Sequence, residues 1–178
     1  MKKKKITSLI LAALLATASF VSLTACGDGQ TETASSAGEQ TTAEASAGME
    51  NPWVDCATLT EAIEKAGFDF QVPEGSNAVY RALPNEMIEV IQNVDGKELV
   101  YRKSPTDGDN SGDLNQYPYT GGRTVSGIMV ILRGESEEKI HVAYFTAFDG
   151  TYSIGTSSDL TDKEAQALMK DLIQRNTK

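Results

Sequence analysis

From residue 49 onward the apolar positions alternate between two periods, and the changes of period set out the elements. Leu59, Ala62, Ile63 and Ala66 recur at helical spacing behind Thr58-Leu59-Thr60-Glu61. There a threonine and a glutamate three places on can satisfy two free amides reciprocally, and Gly67 is a natural stop. A second stripe, Ala165, Leu168, Met169, Leu172 and Ile173, follows Thr161-Asp162-Lys163-Glu164. Leu160 can staple against Ala165, and Lys170 and Arg175 lie toward the negative end of the helix. Between the two predicted helices the pattern turns extended. Residues 78–83 form a short run ending at Pro84. Residues 87–94 fit either period, but their β-branched content and the Asp95-Gly96 turn favour a strand, paired back onto residues 97–103. Residues 124–133 are apolar on both faces (Val125, Ile128, Met129, Val130, Ile131) and read as one central strand. Gly134-Glu135-Ser136-Glu137 then turns into residues 139–148, and Asp149-Gly150 into residues 151–156. Helix, about six strands with short connections, helix is the order of an α+β domain. The expected form is a curved antiparallel sheet with the N-terminal and C-terminal helices packed on one face.

Ahead of this domain the pattern changes character. Lys2, Lys3, Lys4 and Lys5 precede an uncharged apolar run from Ile6 to Leu23, the first two parts of a secretory signal. Leu23-Thr24-Ala25-Cys26 then resembles the lipobox of bacterial lipoprotein precursors. The resemblance implies that residues 1–25 are a signal peptide, and that Cys26 takes a diacylglyceryl thioether, with palmitate-type acyl chains, as the first mature residue. A retained membrane helix is the competing reading. About 18 residues, diluted by Thr7, Ser8, Thr17, Ser19 and Ser22, stand at the bottom of the spanning range. Stable anchoring takes two lipid signals, and diacylglyceryl supplies two chains on one cysteine. The expected location is the extracytoplasmic face of the cell membrane, with the bilayer as a partner through Cys26. Residues 27–48 are nearly all Gly, Ser, Thr, Ala, Gln and Glu, with no aromatic and no basic residue. Such a stretch cannot bury enough apolar area to offset chain entropy. Residues 26–48 are therefore expected to be a disordered tether of roughly 25 Å root-mean-square span, and residues 49–178 a single extracytoplasmic domain.

Charge and cysteine content narrow the picture. The chain carries 16 basic and 25 acidic residues, a net charge of −9. Removing the four leader lysines deepens this to −13, a surface that repels nucleic acid and anionic headgroups. Nucleic-acid binding is excluded as a function. With Cys26 lipidated, Cys56 has no disulfide partner; beside Trp53, Val54 and Ala57 it reads as a small buried hydrophobe.

Candidate chemistry concentrates in one loop. Asp107, Asp109, Ser111, Asp113 and Asn115, with Gly112 at the sixth place, place oxygen side chains at the spacing of a calcium loop. Position twelve is Pro118 instead of a glutamate, and no helices flank the segment, so it is not an EF-hand. A non-standard cation site competes with a polar loop whose residues supply turn geometry, and the second reading leads. Tyr117 and Tyr119, with Gly121-Gly122, extend this loop into an aromatic stretch that can either anchor a ligand or pack over a sheet edge. His141 is the only histidine. Strict alternation over residues 139–148 places Ile140, Val142, Tyr144 and Phe148 on one face and Lys139, His141 and Phe145 on the other. One histidine excludes imidazole-rich zinc sites, and no Gly-x-Ser-x-Gly elbow or glycine-rich phosphate cradle accompanies it. No catalytic residue, metal ligand or cofactor is assigned, and the protein is expected not to be an enzyme.

Several short motifs carry a wider resemblance. Asn51-Pro52-Trp53-Val54-Asp55-Cys56, the helix end Ala66-Gly67-Phe68, residues 86–91, and Arg102-Lys103 followed by Ser111-Gly112-Asp113-Leu114-Asn115 are similar to a group of uncharacterised lipoproteins of clostridial-type Gram-positive bacteria. Their extracytoplasmic domain is of unknown function. The resemblance implies a lipobox lipoprotein and supplies no catalytic residues. The leading expectation is a surface-anchored binding or interaction module whose partner is an envelope component, a peptide or a cation. It requires a concave or aromatic-lined surface near residues 107–122. The alternative is a small cell-envelope hydrolase using a carboxylate pair or His141, which requires one of those groups buried beside a second polar group.

Overall fold

A computed structural model describes residues 51–177 except Phe148. The leader, Cys26 and the spacer lie outside the described residues. The elements run β1 (Val54–Cys56), α1 (Leu59–Ala66), β2 (Ser76–Leu83), β3 (Met87–Val94), β4 (Lys97–Ser104), β5 (Tyr119–Val125), β6 (Ile128–Ser136), β7 (Lys139–Ala147), β8 (Gly150–Leu160) and α2 (Asp162–Asn176). All eight strands form one open antiparallel sheet in the order β1-β2-β3-β4-β8-β7-β6-β5. The domain is thus α+β, made of two four-strand meanders that meet where β4 pairs with β8, Val100 opposite Gly155 and Ser104 opposite Thr151.

Among the described residues the strands number eight where about six are expected, for two local reasons. Ser126 and Gly127 both take positive φ (50° and 84°), which breaks the run 124–133 into the β5–β6 hairpin, with Val125 opposite Ile128. Two central residues of positive φ match the twist of paired strands. β1 is only three residues long, too short to show an alternation. The 87–94 segment is a strand, and Asp95-Gly96 turns it back so that Val94 faces Lys97. Gly150 does not form the second turn: it is already in register with Ala147 as the first residue of β8. It is a glycine because a Cβ there would overlap the Ser104 carbonyl.

Both helices start where their N-caps dictate, and α1 also stops at a cap. Thr58 Oγ1 accepts from the Glu61 amide at 3.2 Å, Glu61 Oε2 accepts from the Ala57 amide at 2.8 Å, and Gly67 closes α1 at φ 80°. At α2 the box is complete between Thr161 and Glu164. Ala62 and Ala66 of α1 join Ala165, Met169, Leu172 and Ile173 of α2 in one apolar cluster. The alternate strand residues Ile88, Val90, Leu99, Tyr101, Leu132, Phe145, Tyr152 and Ile154 complete it. The helices therefore cover one face of the sheet. Burying one such large apolar side chain contributes about 2 kcal/mol, so this layer holds the fold. A charge closes its lower end: Lys103, only 2% exposed, donates to Asp69 O at 2.6 Å and Asp149 Oδ2 at 2.7 Å. Its ammonium also lies 5.4 Å from the Phe68 ring centroid and 5.1 Å from that of Tyr152. Cys56 is half-buried against this core, as a free thiol.

Candidate functional site

The sheet face opposite the helices is organised by charge. Cross-strand register sets Asp55 opposite Arg81, Arg81 opposite Glu89 and Glu89 opposite Arg102. Glu89 is 4% exposed and holds Arg102 Nε at 2.8 Å and Nη2 at 2.6 Å on Oε2, with Arg81 Nη1 at 3.4 Å on Oε1. A buried carboxylate needs such partners. Arg102 in turn lies 5.9 Å from the Trp53 ring centroid.

Residues 105–118, the β4–β5 connection, cross this face as a strap bonded to four adjacent strands. Asn110 Nδ2 donates to Ser104 Oγ (3.0 Å) on β4 and to Thr151 O (2.9 Å) on β8. Arg102 Nη1 donates to Ser111 O. His141 of β7 stacks on Tyr117, centroids 5.4 Å apart and planes 16° apart. Arg133 of β6 pairs with Asp109, donates to Asn115 O at 2.6 Å and lies 5.6 Å from the Tyr117 ring centroid. Gly112 sits at φ 71° against Arg102 Nη1, where a Cβ would overlap the guanidinium.

The strap's oxygen pattern has a local explanation. Asp109 Oδ1 accepts from the Ser111 amide (2.9 Å), Ser111 Oγ from the Asp113 amide (3.2 Å) and Asp113 Oδ1 from the Asn115 amide (2.8 Å). Each polar side chain thus caps the backbone two residues on, a run of Asx and Ser turns. Tyr117 Oη adds a 2.7 Å bond to Asp113 Oδ2. Burial raises the Asp113 carboxyl, but the bonds from Tyr117 and Asn115, with Arg133 nearby, outweigh it and hold Asp113 below its ordinary range. Burial and the Asp113 acceptor push the Tyr117 phenol up. Among the described residues no group of three or more His, Cys, Asp or Glu side chains is placed to hold a metal ion.

Between strap and sheet lies a cavity of about 470 Å³. Ser111, Gly112, Asp113, Asn115 and Tyr117 form its strap side. Glu98, Val100 and Arg102 of β4, His141 of β7, and Gly155, Thr156 and Ser157 of β8 form the sheet side. Four candidate loop residues, Ser111, Asp113, Asn115 and Tyr117, are therefore brought together. Asp107 is solvent-exposed, and Asp109 faces Arg133. Tyr119 belongs to β5, where its hydroxyl meets Arg123 Nη2 (3.1 Å) and Glu137 Oε1 (3.4 Å), and its ring lies over Gly121.

His141 corrects the expected alternation. Against β6, Arg133 pairs with Val142 and Gly134 with Ile140, so β7 carries one extra residue, His141, as a bulge. Ile140 pairs with Leu160 and joins the core with Phe145, while His141 turns to the strap. Its side chain is 16% exposed, with Nε2 at 3.5 Å from Asp159 Oδ1. Sequence reasoning missed Glu98, Val100, Arg102, Gly155, Thr156 and Ser157, because the pairing of β4 with β8 is non-sequential and leaves no local signal. Gly155 carried the one available hint, a glycine inside an extended run.

No family model, no curated protein and no solved structure matches the chain.

Proposed function

We propose that the chain is a membrane-anchored surface lipoprotein, moored through diacylglyceryl on Cys26, whose domain binds a small polar ligand beneath the strap. Gly155 carries the binding reading. It stands in the interior of β8, between Val100 and Val142 on the neighbouring strands. Neither a positive φ nor a close neighbour calls for glycine there: a Cβ would meet nothing within 4 Å. Glycine weakens a strand and often marks a bulge or a place where a ligand approaches the backbone; Gly155 stands where the register of β8 against β7 shifts, and its open side faces the strap. Here it forms part of the sheet side of a cavity whose volume suits a small molecule. Bulges bend strands, so the register shifts of β7 against β6 and of β8 against β7 fit a sheet curved around such a site.

The test is a thermal-shift screen of the full chain against envelope fragments and divalent ions, repeated with Gly155→Val. The branched side chain projects into the cavity from its sheet side and suits a strand, so the variant should be as stable as the parent or more so, and weaken the hits that bind there. Hits unchanged by the substitution would place binding elsewhere. Anchoring is tested by mass spectrometry of the native chain; an unmodified Cys26 with Met1 in place would refute it.

A hydrolase reading draws on His141, which lines the same cavity as Ser157 with Asp159 beside it. A His-activated nucleophile needs a hydrogen bond from the nucleophile to the base. Among the described residues no Ser, Thr or Cys side chain makes that bond to His141, which favours binding over hydrolysis.

A further inference from the structure

We propose that the cavity beneath the strap selects a hydroxylated primary amine in its protonated form, with the ammonium on Glu98; this rests on the cavity being the ligand site. The argument turns on which of the lining groups are already engaged. Arg102 gives Nε and Nη2 to Glu89 and Nη1 to Ser111 O, so its charge is paired and three of its five N–H donors are engaged. Asp113 has an acceptor bond on each oxygen. Thr156 Oγ1 donates to Glu98 O at 2.8 Å and accepts from the Ser158 amide at 3.0 Å. Three groups remain without a hydrogen bond among the described residues, the Glu98 carboxylate, Asn115 Oδ1 and the Ser157 hydroxyl, and the His141 nitrogens meet only Asp159 Oδ1, 3.5 Å from Nε2.

That remainder is rich in acceptors, and its one unbalanced charge is negative. An anionic ligand would meet the Glu98 carboxylate and a guanidinium already neutralised by Glu89, so phosphates and carboxylates are disfavoured. An ammonium brings three donors and no acceptor, which suits a carboxylate and an amide oxygen. Hydroxyls, which both donate and accept, suit Ser157 and His141. The volume of about 470 Å³ admits a ligand of monosaccharide size.

Isothermal titration of the full chain with glucosamine, glucose and glucose 6-phosphate tests this, since the three differ in charge on a common frame. Glucosamine should bind about fivefold tighter than glucose, the upper range for a partly exposed ion pair, and glucose 6-phosphate weakest. Glu98→Gln, on an exposed side chain, should abolish the preference, bringing the affinity for glucosamine to that for glucose. A preference for the phosphate, or an amine preference that survives Glu98→Gln, overturns the inference. Absence of binding by all three also overturns it. In that case the cavity reading still stands or falls separately, on whether screen hits are weakened in Gly155→Val.

Discussion

Glu89 is the residue on which the site's electrostatics depend. It is buried between Arg81 and Arg102, and the Arg102 side chain is itself only 18% exposed. Removing one partner of a buried pair costs about 3–5 kcal/mol, because the other charge is left uncompensated. Arg81, 41% exposed, can turn to water, so Glu89→Gln should cost about 3 kcal/mol, read from the urea midpoint at unchanged slope. The same change leaves the Arg102 charge unbalanced at the cavity and should shift preference from glucosamine toward glucose 6-phosphate. Gly112→Ala acts at the neighbouring contact. It combines a left-handed φ with overlap onto the Arg102 guanidinium, and should cost about 1–3 kcal/mol while loosening the strap. A neutral result there would mean that strap and guanidinium are not in contact in solution.

At the level of elements, what was legible in the sequence was what is decided locally. The α2 box needs only residues 161–164, and Thr161→Ala should cost about 1 kcal/mol in a denaturant melt. Glu164 also reaches outside its helix. The Lys97 ammonium at 2.8 Å, followed by the amide and hydroxyl of Thr161, holds its carboxyl down to about 2, against an ordinary 4.5. Because the folded value is depressed, its stabilising effect is fully present above pH 4.5 and is lost as pH falls toward 2. The melting-temperature gap between parent and Glu164→Gln should therefore be open at pH 6 and closed near pH 2; a gap constant across that range would rule out the pairing. Less local features were misread. The Ser126-Gly127 turn hid inside a run whose apolar residues continue on both sides of it. The His141 bulge depends on the register of β7 against β6, which the alternation of β7 alone does not contain. The strap's oxygens carried a metal-like spacing because Asx turns repeat every two residues, the same interval as the calcium pattern. Four strap residues of the cavity could be named in advance, but of its sheet side only His141 could.

Taken together, the described residues form two sequential meanders joined along one non-sequential seam. Every other strand pairing links chain neighbours, whereas β4 and β8 bring residues 100–104 against residues 151–155. The strap spans this seam, since Asn110 bonds both Ser104 of β4 and Thr151 of β8. Closing a loop of that length costs entropy before any contact forms, so the halves can order locally while the seam forms last. Once formed, the seam lies at the middle of the sheet, under the core on one side and the strap on the other. Backbone amides there open only with global unfolding, whereas edge strands open locally. Hydrogen exchange should accordingly be slowest at Tyr101, Tyr152 and Ile154 and fastest along β1 and the outer edge of β5. Protection of β5 equal to that of β4 would show instead that this open edge is paired in solution, and that the sheet continues into another chain.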